Sequence, residues 1–180
     1  DDGSTDATWK SIEAISRHSS RVQGIRLAHN SGHQNALLAG LEYADADAVI
    51  TIDADLQDDV GAISKMVAAY CEGAEVVYGV RDCRDTDTRF KRITAQGFYH
   101  CMRFLGVNVI FNHADFRLMS RRAITALLRY PEVNIFLRAM VPMLGFRSAI
   151  VTYSRSRRLV GESKYTPLRM LSFALTGITS

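Results

Sequence analysis

Apolar residues recur along the chain in two alternating rhythms. Trp9, Ile12 and Ile15 fall at helical spacing behind the polar "STDAT", which predicts a helix with capping residues before it. "RVQGIRL" reads as a short strand and "HNSG" as a turn, and Leu37, Gly40, Leu41 and Ala44 return to helical spacing. Ala48 to Ile52 is a continuous apolar run, the pattern of a strand buried on both faces. Ile63, Met66, Val67 and Tyr70 predict a third helix, "CEGAE" its end, and "EVVYG" the next strand. Helix, strand, helix, strand, helix, strand implies an α/β fold with a mostly parallel sheet and crossover helices.

Beyond Arg81 the rhythm breaks. Residues 81–92 are polar and charged and read as a mobile loop, and Arg89 to Leu105 as a helix. "ADFRLMS" fits a short strand, Arg121 to Arg129 and Asn134 to Leu144 fit helices, and "SAIVTYS" fits another strand. "RSRRLVGESKY" is a basic, Gly-containing loop, and Pro167 suits the first turn of a last helix.

The 180 residues, 47% of them hydrophobic, suffice for one well-cored domain. A net charge of +3 gives no argument for nucleic acid. Cys71, Cys83 and Cys101 show neither a disulfide framework nor zinc spacing. They read as small buried apolar residues in a reducing compartment. The polar "DDGSTDAT" at one end and the apolar "MLSFALTGITS" at the other read as the two cut ends of a longer protein.

The candidate chemistry sits behind the Ala48–Ile52 run. In "DADLQDD", Asp53 and Asp55 share one side of an extended chain and Gln57 follows on that side. Two carboxylates and an amide oxygen suit Mg²⁺ or Mn²⁺, with phosphate oxygens completing the shell. A solvated acidic turn, with Asp58 and Asp59 capping the next helix, is the plainer alternative. An EF-hand fails, because Asp58 and Ser64 stand where Gly and Glu are required. An aspartyl-phosphate hydrolase with Asp53 as nucleophile is weakened by Gln57. His29 and His33 straddle a turn and read as surface or hydrogen-bonded histidines, and no Walker loop is present. In parallel sheets, ligands bind beyond the carboxyl ends of the strands. Both "DADLQD" and "VRDCRD" fall there.

"DDGSTD", "DADLQD" and "RLVGESKY", in that order, together with "HNSGHQNALLAGLEYA", "VVYGVRDCRDTDTRFKR" and "ADFRLMSRRA", resemble family 2 glycosyltransferases of GT-A (Rossmann-like) fold. The likeness is to the polyprenyl-phosphate branch, that of bactoprenol glucosyltransferases and dolichol-phosphate mannose synthases. The chain departs from that pattern at Asp59 and Val60, where prolines are usual, and at His29, where Arg is usual.

The resemblance implies a GT-A domain over 1–154 that lacks its first strand. It also implies a basic acceptor loop and juxtamembrane helix over 155–180, leading into membrane helices. The donor is a nucleotide-diphosphate sugar, UDP-glucose by preference, and the acceptor a polyprenyl phosphate. Asp1, Asp2, Asn30 and Asp53 would meet the nucleotide sugar, with Asp2 the more structural of the first pair. Asp55 and Gln57 would bind the metal. Arg81 and Arg92 would hold phosphates at the reacting centre. Asp115 would orient acceptor or sugar, or else pair with Arg117. Arg158, Ser163 and Lys164 would bind the acceptor phosphate. The protein would lie at the membrane with its catalytic domain on the cytoplasmic face, and a homo-oligomer is compatible with this. Two other readings remain: a family member acting on a sugar hydroxyl, and a catalytically silent nucleotide-sugar-binding module.

Overall fold

A computed structural model describes residues 1–82, 113–130 and 136–154. The chain falls into two compact units, Asp1–Asp45 and Ala46–Ser180.

The first unit holds α1 (Thr8–His18) and α2 (His33–Tyr43). Asp6, rather than Asp1 or Asp2, serves the start of α1, its Oδ1 accepting from Thr8 N at 2.9 Å. Trp9 and Ile12 pack against the extended segment that follows the helix. A Cβ on Gly24 would lie 2.6 Å from Ile12 Cγ2, so only glycine lets that segment pass so closely. Residues 21–27, expected as a strand, carry no ladder; Asp1 N donates to Ile25 O at 2.6 Å, Leu27 N to Asp1 O at 2.9 Å and Val22 N to Ser19 O at 3.1 Å. A strand pattern without a strand alongside cannot satisfy its backbone as a ladder.

The second unit is built on four strands: β1 (Ala48–Thr51), β2 (Val76–Arg81), β3 (His113–Ser120) and β4 (Ser148–Tyr153), in the order β1-β3-β2-β4. β3 runs antiparallel to both β1 and β2, and β4 parallel to β2. The class is α/β as expected, but the sheet is mixed. The crossover from β1 through α3 (Ala62–Cys71) does return the chain in the same direction. The gap it leaves is filled by β3, arriving later in sequence.

α3 covers one face of the sheet. Ala62 and Met66 meet Val77, Phe116, Leu118, Val151 and Tyr153 there. Phe116 and Tyr153 pack edge to face, with ring centroids 5.2 Å apart. Gly79 makes this packing possible, since a Cβ there would lie 2.8 Å from Phe116 Cδ1 and 2.9 Å from Met66 Cε. After β3, Ser120 caps α4 (Arg121–Leu128), its Oγ accepting from Ala123 N at 3.1 Å. α5 (Leu137–Met143) precedes β4. Cys71, expected to be buried, is exposed at the end of α3. Its helix turns Ala62 and Met66 inward, which leaves position 71 on the outer side. Cys83 and Cys101, residues 83–92 of the expected 81–92 loop, the whole of the expected Arg89–Leu105 helix and the segment after Ser154 lie outside the described residues.

Candidate functional site

One edge of the second unit's sheet gathers the chemistry. β1, β2 and β4 all run toward it and end there at Thr51, Arg81 and Tyr153, while β3 begins there. Thr51 stands opposite Arg117. The buried Thr51 hydroxyl donates to the Asp115 carbonyl oxygen, tying the end of β1 to β3. The "DADLQDD" loop leaves β1 at this point, so the acidic residues, Asp115 and Arg81 belong to one edge.

Within the loop, Asp53 and Asp55 are half-buried and Gln57 is buried. Asp55 Oδ1 accepts from Gln57 N at 3.1 Å. Leu56 between them has φ +56°, left-handed backbone that a leucine adopts only under constraint. That turn folds the loop so that Asp55 and Gln57 sit on a single tight bend. Two carboxylates and an amide are hard oxygen donors, and Mg²⁺-type ions take one or two carboxylates and complete their shell from substrate phosphates. The donor set therefore fits such an ion with a phosphate ligand. Among the described residues no cluster of three or more His, Cys, Asp or Glu could hold a metal by itself.

On the plainer acidic-turn alternative Asp58 and Asp59 both cap the next helix. Asp59 does take the turn before it, its Oδ1 accepting from Gly61 N at 2.8 Å, while Asp58 turns inward. The Asp58 side chain has no exposure, and its Oδ1 accepts from Tyr153 Oη at 2.5 Å. Arg81 Nη2 lies 3.7 Å from the same oxygen, and Arg81 Nε donates to Tyr153 Oη at 3.3 Å. Burial, reinforced by the Asp58 hydrogen bond, pushes the Tyr153 phenol up to about 12, so it stays a neutral donor.

Asp115 is 3% exposed. Arg117 Nη2 reaches its Oδ1 at 2.5 Å and Arg138 Nη2 its Oδ2 at 3.1 Å. Arg117 also donates from Nη1 to Leu137 O at 3.2 Å, while its buried Nε has no hydrogen-bond partner among the described residues. Burial holds the Arg117 guanidinium below its ordinary range, and Asp115 opposes that shift. Of the two roles the sequence leaves open for Asp115, the structure displays the pairing with Arg117, extended by Arg138. Both carboxylate oxygens are already engaged.

In the first unit the Asp1 carboxylate is turned inward, accepting from Ser4 N at 3.2 Å and from the Ser4 hydroxyl. Asp2 binds the turn before α2, with Oδ1 accepting from Ser31 N at 2.7 Å and Oδ2 from Gly32 N at 3.0 Å. Asp2 thus holds the turn before α2, not the start of α1. Asn30 is exposed, beside Gly3. Arg92, Arg158, Ser163 and Lys164 lie outside the described residues. Sequence reasoning missed Tyr153, Arg138 and the inward role of Asp58. The one available signal was parity: Val151 and Tyr153 share the inward side of β4.

Residues 1–128 match the family described as glycosyl transferase family 2. The chain belongs to that family. Among curated members it is 56% identical to the uncharacterized glycosyltransferase YkoT of Bacillus subtilis, with 100% of this chain and 54% of YkoT covered. It is 37% identical to the prophage bactoprenol glucosyl transferase homolog of Escherichia coli, with 99% and 59% covered. The chain thus spans little more than half the length of these relatives. Glucosyl-3-phosphoglycerate synthase of Mycobacterium tuberculosis shares the fold, with a TM-score of 0.61 at 20% identity over 99% of this chain and 66% of that one. A further structure of that synthase holds Mn²⁺, UDP-glucose and phosphoglyceric acid. Among the described residues, no helix of this family member is long and apolar enough to cross a membrane.

Proposed function

We propose that the protein carrying this chain transfers glucose from UDP-glucose to a polyprenyl phosphate, with inversion at the anomeric carbon. Two lines support the reading. The bactoprenol glucosyl transferase relatives align with 99% of the chain. The carrying observation is the end of the sheet itself, where the oxygen donors of the Asp53–Gln57 loop follow β1 and the cation Arg81 ends β2, with β3 lying between the two strands.

In this mechanism Asp55 and Gln57 would hold Mg²⁺ or Mn²⁺, which would supply positive charge against the departing diphosphate, with Asp53 toward the ribose. Arg81 grips phosphate oxygens, which a guanidinium does in a forked geometry. Arg92 shares that task, while Arg158, Ser163 and Lys164 hold the acceptor phosphate. Asp1, Asp2 and Asn30 serve the nucleotide end. The bond from the anomeric carbon to the UDP oxygen breaks, its electron pair leaving with UDP. A new bond forms from that carbon to the acceptor phosphate oxygen. A phosphate monoester is already dianionic above a pKa of about 6, so no strong base is needed.

That point weighs against a sugar-hydroxyl acceptor. Such an acceptor requires a base, and the Asp115 oxygens are occupied by Arg117 and Arg138. The stretch from Arg155 to Arg169 carries Arg155, Arg157, Arg158, Lys164 and Arg169 against Glu162. Basic clusters of this kind gain about 1 kcal/mol per residue near anionic headgroups, which supports attachment to the cytoplasmic leaflet.

The test is incubation of the full-length protein with UDP-[¹⁴C]glucose, Mg²⁺ and either undecaprenyl phosphate or an oligosaccharide. Label in the lipid extract is expected. Label in the oligosaccharide alone would overturn the proposal.

A further inference from the structure

Asp58, Tyr153 and Arg81 form a chain of contacts with a direction. Arg81 Nε donates to Tyr153 Oη at 3.3 Å, and Tyr153 Oη donates to Asp58 Oδ1 at 2.5 Å. The three residues come from three segments: the loop behind β1, the last position of β2 and the last position of β4. Asp58 and Tyr153 stand 95 positions apart in sequence.

The geometry is unlike that of an ion pair closed for stability. A buried carboxylate and guanidinium gain most from direct, forked hydrogen bonds. Here the tyrosine hydroxyl is interposed, and Arg81 Nη2 stops 3.7 Å from Asp58. Asp58 Oδ2 is left buried with no partner among the described residues, at a real desolvation cost. Arg81 spends its Nε on the tyrosine, and Nη1 has no hydrogen bond among the described residues. Its side chain keeps 17% exposure, at the sheet edge where the acidic loop leaves β1. A guanidinium held from behind, with an open end toward solvent, is set up to receive an anion.

We propose, resting on the sugar transfer put forward above, that Asp58 and Tyr153 are positioning residues. They aim Arg81 at phosphate oxygens of the reacting substrates, and they couple the loop carrying Asp55 and Gln57 to the ends of β2 and β4. Asp58 sets the orientation of the Tyr153 hydroxyl, and that hydroxyl sets the torsion of Arg81. The phosphate belongs to the donor or to the acceptor, and the kinetics separate the two.

The experiment is a double-mutant cycle on the full-length protein with Tyr153→Phe, Arg81→Lys and the pair combined. It is assayed below each variant's melting temperature, with UDP-glucose and undecaprenyl phosphate varied in turn. Tyr153→Phe is expected to lower kcat/KM about tenfold or more, as a misplaced holding group does. The double variant is expected to fall no further than Arg81→Lys alone, because both changes spoil one interaction. A loss confined to the UDP-glucose series assigns the donor phosphate, and one confined to the lipid series the acceptor.

Unchanged kinetics with only a lower melting temperature would overturn the proposal, as would losses that multiply in the double variant. Asp58→Asn provides the same reading should the phenylalanine variant not fold, with the same expected loss. If the wild type glucosylates only an oligosaccharide, the lipid-acceptor reading fails. The cycle then runs on that acceptor and still decides the positioning role.

Discussion

Arg117 Nη2 lies 2.5 Å from Asp115 Oδ1, two positions away on the same strand, and both side chains are almost wholly buried. Alternation along β3 turns this pair away from Phe116 and Leu118, which join the core under α3. The pair instead meets Leu137 and Arg138 of α5. Asp115 is therefore the counter-charge that lets a guanidinium sit inside the second unit.

Removing that counter-charge should be costly. Asp115→Ala leaves Arg117 buried and unpaired, and loss of one partner of a buried pair costs roughly 3–5 kcal/mol. Urea unfolding of the full-length protein checks this. A loss below about 1 kcal/mol would show that the pair does not hold the fold, and would return Asp115 to the list of catalytic candidates.

Asp55 should behave in the opposite way. It is only half-buried, and it accepts locally from Gln57 N. Asp55→Ala is expected to cut metal-dependent transfer on the order of 100-fold, as loss of a principal electrostatic group does, with little change in unfolding free energy. Substantial turnover in that variant would refute the metal assignment.

These two aspartates show what was legible in the sequence. The Ala48–Thr51 run, α3 and the β2 and β4 runs were visible because burial on a sheet or helix face leaves a period in the residues themselves. The direction of β2 relative to β1 followed from the helix between them. The neighbour of β1 did not, because pairing is non-local and β3 begins at His113. The acidic loop could be read from residue types at a strand end. The fate of Asp58 could not, since nothing local distinguishes it from Asp59, which takes the turn before α3. The partner that draws it inward lies 95 residues away.

Alkaline pH should expose the buried phenols. Burial pushes Tyr78 and Tyr153 up to about 12 from an ordinary 10.0. As pH rises past 10, the unfolded chain loses these protons first, so stability is complete below that point and is lost as pH rises toward 12. Tyr153→Phe should make the decline between pH 10 and 12 shallower. An unchanged slope, followed by circular dichroism in urea, would count against a raised Tyr153 pKa.

The basic segment after β4 carries a separate expectation. Lys164→Ala should raise the KM for undecaprenyl phosphate about tenfold while leaving UDP-glucose binding unaltered, as loss of a charge-assisted phosphate contact does. Steady-state kinetics with each substrate varied in turn measure this. An unchanged lipid KM together with an unchanged kcat would remove Lys164 from the acceptor site.

The central claim is that a divalent cation, gripped by Asp55 and Gln57, carries the diphosphate of the sugar donor. Pulsed electron paramagnetic resonance on the full-length protein with Mn²⁺ and UDP-glucose tests it most directly. Phosphorus hyperfine coupling to the bound Mn²⁺ is expected in the wild type and should vanish in Asp55→Ala. Persistence of that coupling in the variant, or Mn²⁺ bound without any phosphorus coupling in the wild type, would contradict the claim.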